Sequence, residues 1–456
     1  MLLSSVPSAH AEAQSTGGTG GGRAAGKPAA PASSASSAAA PKKKKPKGTP
    51  SASVAPPPPP PPPPEPEPPP PEPPPAPEKK SDDDKPKEDE KPKESNVSAR
   101  VGTEVGGYTD TERVTVFTPS IYGSVYNPTS GWNVSGSYLV DVVSAASADI
   151  VSTASPRYEE VRHAGALAAE YKPGDLGGNV YGSVSREPDY LAYTVGGAGT
   201  YDIFDKNASL LLGYTYGHDI AGRNSTPFEV FARNVDTNSF KAGLTYVVNR
   251  RALLTFITDA IFQSGDTSKP YRYVPMFAPG VVINPGLSVE RVNENRLPQR
   301  VLEHVPGSRN RYAFSIGFAN RFDNATLRIE ERLYDDSWGI KATTTDIRFL
   351  ADLSQRITLG PHVRLHSQTP VNFWQRAYIS KGVTDIPALR TGDRELGALT
   401  SISGGSYLRV YVGPAGEPHK VGLGLDTYVT YTSYPDAIYI QSRLAGLGAF
   451  TLEVNF

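Results

Sequence analysis

The sequence predicts an all-β fold, an antiparallel transmembrane β-barrel of about 16 strands preceded by a disordered Pro-rich N-terminal arm. Three observations predict it. The last stretch alternates with period two and ends on an aromatic residue, Phe456. Short and long connections sort by parity along the chain. No segment approaches the ~18 consecutive apolar residues that a membrane-spanning helix needs.

Composition narrows the choice. Among 456 residues there is no cysteine, which excludes disulfides and thiolate metal sites. A net charge of −1 gives no reason to expect nucleic acid. Tyr outnumbers Phe, 24 to 15, and there are 43 glycines, which suits a Gly-rich barrel with aromatic girdles. Mean hydropathy is −0.38. That value is compatible with a membrane barrel, because only half of its strand positions face lipid.

Residues 1–11 read as the remnant of an export signal, with Ala9-His10-Ala11 as a small-x-small cleavage pattern. Residues 12–96 are low in complexity. Gly, Ser and Ala dominate first, then comes the run Lys42–Lys45, then a proline tract from Pro56 to Pro75, then mixed charge. Such a segment cannot bury a core, so disorder is expected. The proline tract is stiff polyproline II at ~3.1 Å per residue. A periplasmic linker that touches peptidoglycan through its Pro and Lys residues is one reading; an inert tether is the other.

From residue 97 to 456 the chain reads as strand and turn. Strands are expected near 97–107, 113–126, 131–142, 163–171, 178–186, 190–202, 208–219 and 237–248. Eight more are expected near 251–264, 310–320, 324–335, 338–351, 357–367, 395–412, 419–432 and 443–456. Trp132, Val134, Gly136, Tyr138 and Val140 share one face, with Asn133, Ser135, Ser137 and Asp141 on the other. The stretch 251–264 is apolar on both faces, so its facing is open. Even-numbered connections are short and rich in turn residues: NPTSG, KPGDLGG, IFDKN, NR, RFD, LSQRI, GPAGEPH. The long ones, 143–162, 220–236, 265–309 and 368–394, are all odd-numbered. Outer-membrane barrels have short periplasmic turns and longer outer loops. In the last strand Phe450, Leu452, Val454 and Phe456 alternate with Thr451, Glu453 and Asn455. They are read as the assembly signal that the barrel assembly machinery would recognise.

Five phrases carry a family resemblance: YLVDVVSAASADIVSTASPRYEEVRHAGALAAEY, PYRYVPMF, ERLYDDSWGI, RLHSQTPVNFW and DREL. Together they resemble the bacterial family catalogued as domain of unknown function 3570. The resemblance covers about Val97 to Phe456 and implies an outer-membrane barrel of a Gram-negative envelope. It implies no activity, substrate or catalytic residue.

Few residues suggest chemistry, and neither a catalytic site, a metal site nor a cofactor is expected. His362 and His366 share a strand face but sit ~13 Å apart, too far to bind one metal. Asp335-Asp336 point to opposite faces and are read as a solvated turn rather than a Ca²⁺ site. Charge on 324–335 is more informative. Thr326, Arg328, Glu330 and Arg332 share a face opposite Leu327, Ile329 and Leu333. An Arg facing lipid near the midplane costs ~2–4 kcal/mol, so the charged face must line the lumen. Asp346, Arg348 and Arg409 are expected to join it, and Glu331 is expected near the outer rim. The connection 265–309, with Tyr271, Arg272, Tyr273, Arg296 and Arg300, is expected to form a constriction or lid, or to be a packed surface loop.

The functional expectation is a channel or exporter for a polar small solute, embedded in outer-membrane lipid. A non-conducting barrel that anchors the arm is the alternative. A membrane-embedded hydrolase is the remote one, for want of any motif.

Overall fold

The computed structural model describes residues 97–145, 158–382, 385–414 and 419–456. The expected export signal, residues 1–11, and the linker, 12–96, lie outside the described residues. The rest is a closed antiparallel barrel of sixteen strands, in which each strand pairs with the next in sequence. The first eight are β1 (Ser98–Asp110), β2 (Val114–Asn127), β3 (Trp132–Ala145), β4 (Tyr158–Tyr171), β5 (Leu176–Glu187), β6 (Tyr190–Ile203), β7 (Ala208–Ala221) and β8 (Arg233–Asn249). The second eight are β9 (Ala252–Gly265), β10 (Ser308–Arg321), β11 (Ala325–Asp336), β12 (Lys341–Ser354), β13 (Ile357–Gln368), β14 (Leu399–Val412), β15 (Val421–Ser433) and β16 (Ser442–Asn455). The expected strands and their parity are borne out, with β4 starting five residues before its expected Arg162–His163 boundary. No helix among the described residues is long and apolar enough to cross a membrane.

Closure removes the edges that lipid could not satisfy. In the closing ladder Val101 pairs with Val454, Thr103 with Leu452 and Val105 with Phe450. Beyond it, Phe456 N donates to Ala99 O at 2.8 Å and Ala99 N to Phe456 O at 3.1 Å. Phe450, Leu452, Val454 and Phe456 therefore stand on the outer surface. The inward residues are tied to β1 and β2: Thr451 Oγ1 donates to Glu104 Oε2 at 3.1 Å, and Tyr122 OH to Glu453 Oε2 at 3.2 Å.

The ladders fix the facing of every strand. Large apolar side chains exposed on the outside include Phe117, Ile121, Val134, Leu167, Val180, Val195, Leu212, Phe314, Ile347 and Val429. This is the inverse of a water-soluble barrel, and it is what lipid contact requires. In β9 the ladder puts Leu254 and Phe256 outside with Phe318 and Ile316, and Leu253, Ile257 and Ile261 inside. Both faces of that strand are apolar because part of the lumen wall is.

One sequence expectation is corrected. Glu331 does not lie near the outer rim. It faces outward near the middle of β11, paired between Ile316 and Thr345. Thr345 Oγ1 donates to its Oε2 at 2.6 Å, and Thr343 donates to its Oε1. Two threonine hydroxyls on the neighbouring strand satisfy the carboxylate on the outward face. A sequence pattern gives the face of a residue but not its depth, which depends on stagger between strands.

Candidate functional site

The lumen has two unlike walls at mid-height. On β11, β12 and β13 the register builds a patch of three rows. Arg328 lies opposite Arg348, which lies opposite His362. Glu330 lies opposite Asp346, which lies opposite Arg364. Arg332 lies opposite Thr344, which lies opposite His366. The three strands put these residues together because each supplies a polar residue at every second position. The inward residues near the middle of β4, β5 and β6 are instead Ala164, Ala166, Tyr181, Ser183, Thr194 and Gly196. That wall is uncharged and mostly small, with Tyr181 lying across Gly196 and bonded to Thr215.

Within the patch some charges are satisfied and some are not. Asp346 is held by Arg348 Nε at 2.9 Å and by His362 Nε2 at 2.7 Å. Arg332 Nη2 reaches Asp259 Oδ2 at 2.8 Å, and Lys241 approaches the same carboxylate at 4.0 Å. His366 Nδ1 lies 2.8 Å from Thr344 Oγ1. The two histidines thus have separate partners and do not converge on one point. Arg409, inward on β14, donates to Tyr407 OH at 2.6 Å. Arg328 and Glu330 are exposed to the lumen.

The end of the barrel that carries the long connections is different. Segments 266–307, 369–382, 385–398 and 434–441 fold together into a cap. Tyr273–Val274 pairs antiparallel with Val301–Leu302, and Met276–Phe277 pairs parallel with Tyr378–Ile379. A short helix, Val289–Asn295, starts at Ser288, whose side chain accepts from Arg291 N. Met276, Phe277, Val292 and Tyr434 are fully enclosed, and Val274 and Tyr378 nearly so.

A buried charged knot holds the cap together. Glu303 Oε1 accepts from Thr391 Oγ1 at 2.6 Å and from Arg272 Nη1 at 3.3 Å, and its Oε2 accepts from Lys269 N at 3.0 Å. Arg272 Nη1 also reaches Asp393 Oδ2 at 2.7 Å. Burial alone would raise the Asp393 carboxyl, but Arg272 and the Glu395 N–H outweigh it and hold it below the usual range. Enclosure within the cap, with Arg272 beside it, pulls the Lys269 ammonium down to about 8.

The cap is anchored on opposite sides of the mouth. Tyr271 OH donates to Asp189 Oδ2 at 2.6 Å, between β5 and β6. Gln368 Nε2, at the end of β13, donates to Glu395 O at 2.7 Å. From β5 to β13 is eight steps of sixteen, half the circumference. Arg443, at the start of β16, adds a contact to Glu395 at 3.5 Å, and Tyr434 OH donates to Glu395 at 2.7 Å. At the rim Arg309 and Asp336 pair, with Nε to Oδ2 at 2.9 Å, and Asp336 Oδ1 also accepts from Trp338 N and Ile340 N. Asp336 thus organises a buried turn rather than a solvated one. The space enclosed by Val274, Trp374, Tyr378, Arg394 and Ile440 is about 30 Å³, room for about one water.

The structure places the sequence candidates in two groups. Arg328, Glu330, Arg332, Asp346 and Arg348 stand together in the patch, with Arg409 farther round the wall. Tyr271, Arg272 and Tyr273 stand in the cap, with the Arg300 guanidinium 4.5 Å over the Tyr273 ring. Arg296 ends the short helix and bonds to Asn293. Sequence reasoning missed Glu303, Asp393, Glu395, Arg364 and Arg443.

No curated protein matches the chain. Among solved structures, CdiB from Acinetobacter baumannii matches at 12% identity and a TM-score of 0.41, over 79% of this chain and 60% of that one. The siderophore receptor PirA from Pseudomonas aeruginosa matches at 11% and 0.39, over 79% of this chain and 65% of that one. This chain thus spans less than two thirds of either protein. OprD from Pseudomonas aeruginosa matches at 8% and 0.38, over 79% of this chain and 95% of that one. Likeness at these levels says nothing of role. Over residues 115–449 the sequence matches the family described as Protein of unknown function (DUF3570), and the chain belongs to that family.

Proposed function

We propose that this barrel is an outer-membrane channel or exporter for a polar small solute and not an enzyme. The carrying observation is the mid-height lumen, where a charged wall on β11–β13 stands across from an uncharged wall on β4–β6. Sixteen strands leave an aqueous channel when side chains do not fill it. Ala164, Ala166 and Ser183 on one side keep that space open beside Tyr181, and guanidinium groups on the other contact what passes. Short turns belong on the periplasmic side, which puts the N-terminal arm in the periplasm, within reach of peptidoglycan, and the cap outside.

The cap supports a second reading. Its anchors span the mouth, as a non-conducting display barrel would require. Single-channel conductance in planar bilayers separates the two. The pure protein and a Glu303→Ala, Asp393→Ala variant are compared. Conduction by the variant, with rare openings in the parent, is the result expected of a capped channel. Silence from both, with folding shown by heat-dependent migration in SDS, leaves the non-conducting barrel.

A further inference from the structure

We propose that the β11–β13 patch is a binding station for a small, multiply charged oxyanion, one that carries carboxylate or phosphate groups. This rests on the reading of the lumen as a solute path and names the solute class.

Charge balance is the first ground. The patch and its immediate partners hold five cations, Lys241, Arg328, Arg332, Arg348 and Arg364, against three anions, Asp259, Glu330 and Asp346. With neutral histidines the surplus is two positive charges. Asp346 is already occupied by Arg348 and His362, and Asp259 is shared by Arg332 and Lys241. Among the described residues, Arg328 and Arg364 have no carboxylate partner.

Register is the second. Arg328 lies directly opposite Arg348 on the neighbouring strand. Like charges in that position repel and destabilise a sheet. An isolated barrel gains nothing from such a pair. An oxyanion between the two guanidiniums turns the repulsion into attraction, with planar forks suited to carboxylate or phosphate.

Access is the third. Arg328 is exposed in the lumen, and the side chain of Arg348 is 46% exposed. Across the lumen Ala166 and Ser183 leave room for a solute, while the Tyr181 ring fills the space over Gly196. Glu330 beside the station works against binding, which gives the proposal a test of opposite sign.

The experiment is titration calorimetry of the full barrel in detergent, with citrate and with inorganic triphosphate. Binding of either, weakened about tenfold in Arg328→Gln and in Arg364→Gln, is expected; tenfold is the loss of one charge-assisted contact. Glu330→Gln should tighten binding, which a merely structural role for the patch would not produce. The stronger of the two ligands names the group recognised. Absence of binding to a barrel that migrates as folded, or equal binding by parent and Arg variants, overturns the station. Calorimetry does not need current, so a silent barrel that binds citrate defeats the channel reading while leaving the station intact. A conducting barrel that binds neither anion does the reverse.

Discussion

The cap and the mid-lumen patch are both built from arginines and carboxylates, yet they use them in opposite ways. In the cap Arg272 serves two carboxylates at once, Glu303 and Asp393, and the side chains of both acids are under 10% exposed. Hydroxyl and backbone groups satisfy the remaining lone pairs. In the patch Arg348 is 46% exposed, and Arg328 has another arginine opposite it. Removing one partner of a buried pair leaves an uncompensated charge and costs about 3–5 kcal/mol, whereas an exposed pair contributes ~0–1 kcal/mol. The cap is therefore a place where charge holds structure. The patch is a place where charge is left for something else.

The largest effect expected from this contrast is at the rim. Asp336→Ala would strand the buried Arg309 guanidinium and free the Trp338 and Ile340 N–H groups. A local loss of about 3–5 kcal/mol is expected. Hydrogen exchange should show residues 337–341 and the adjoining cap exchanging faster, with β1–β7 unchanged. Protection equal to the parent's would mean that the buried pair does not hold the mouth.

Much of this contrast was not legible in the sequence. The barrel was legible because its signal is local. Period-two alternation in β3, β11, β15 and β16 and the parity of the connections need no knowledge of what lies across the fold. The cap depends on pairings such as Arg272 with Asp393, 121 residues apart. No periodicity marks these. A signal was nevertheless present: PYRYVPMF, DDSWGI, RLHSQTPVNFW and DREL, quoted for the family resemblance, meet in the cap or at its rim. Arg272, Asp336, Gln368, Asp393 and Glu395 all fall within them. Arg364 was overlooked for another reason. Its place in the patch follows from register with Asp346, which alternation alone does not supply.

A smaller effect sharpens the comparison through pH. Lys269 titrates at about 8 in the folded cap, against about 10.5 when the cap is open. Between those values the open form binds more protons, so the cap gains stability as pH rises from 8 toward 10.5. The tyrosines act in the other direction. Burial pushes Tyr378 and Tyr271 up to about 12, so above pH 10 the open form loses phenolic protons first and the cap weakens. Resistance of residues 266–307 to proteolysis should therefore rise from pH 8 and fall again beyond about pH 10. Lys269→Met should abolish the rise and keep the fall. A flat profile in the parent would show that Lys269 is not enclosed as described.

The smallest effect expected is in the patch, and its smallness is the point. Arg348→Ala removes a guanidinium bonded to Asp346, but His362 remains 2.7 Å from that carboxylate. The same change relieves the repulsion with Arg328 across the β11–β12 ladder. Arg348 is half-exposed although Asp346 is only 14% exposed, so the pair contributes about 1 kcal/mol, and lost repulsion offsets part of that. The temperature at which the barrel loses its compact migration in SDS should move by no more than about 2 °C. A shift as large as that of Asp336→Ala would mean that the patch is a structural ion network like the one in the cap. The unbalanced arginines would then need no solute to explain them. Near-equal melting together with weaker anion binding would instead separate the two regions in one variant, since a residue that holds structure cannot be removed without a thermal cost.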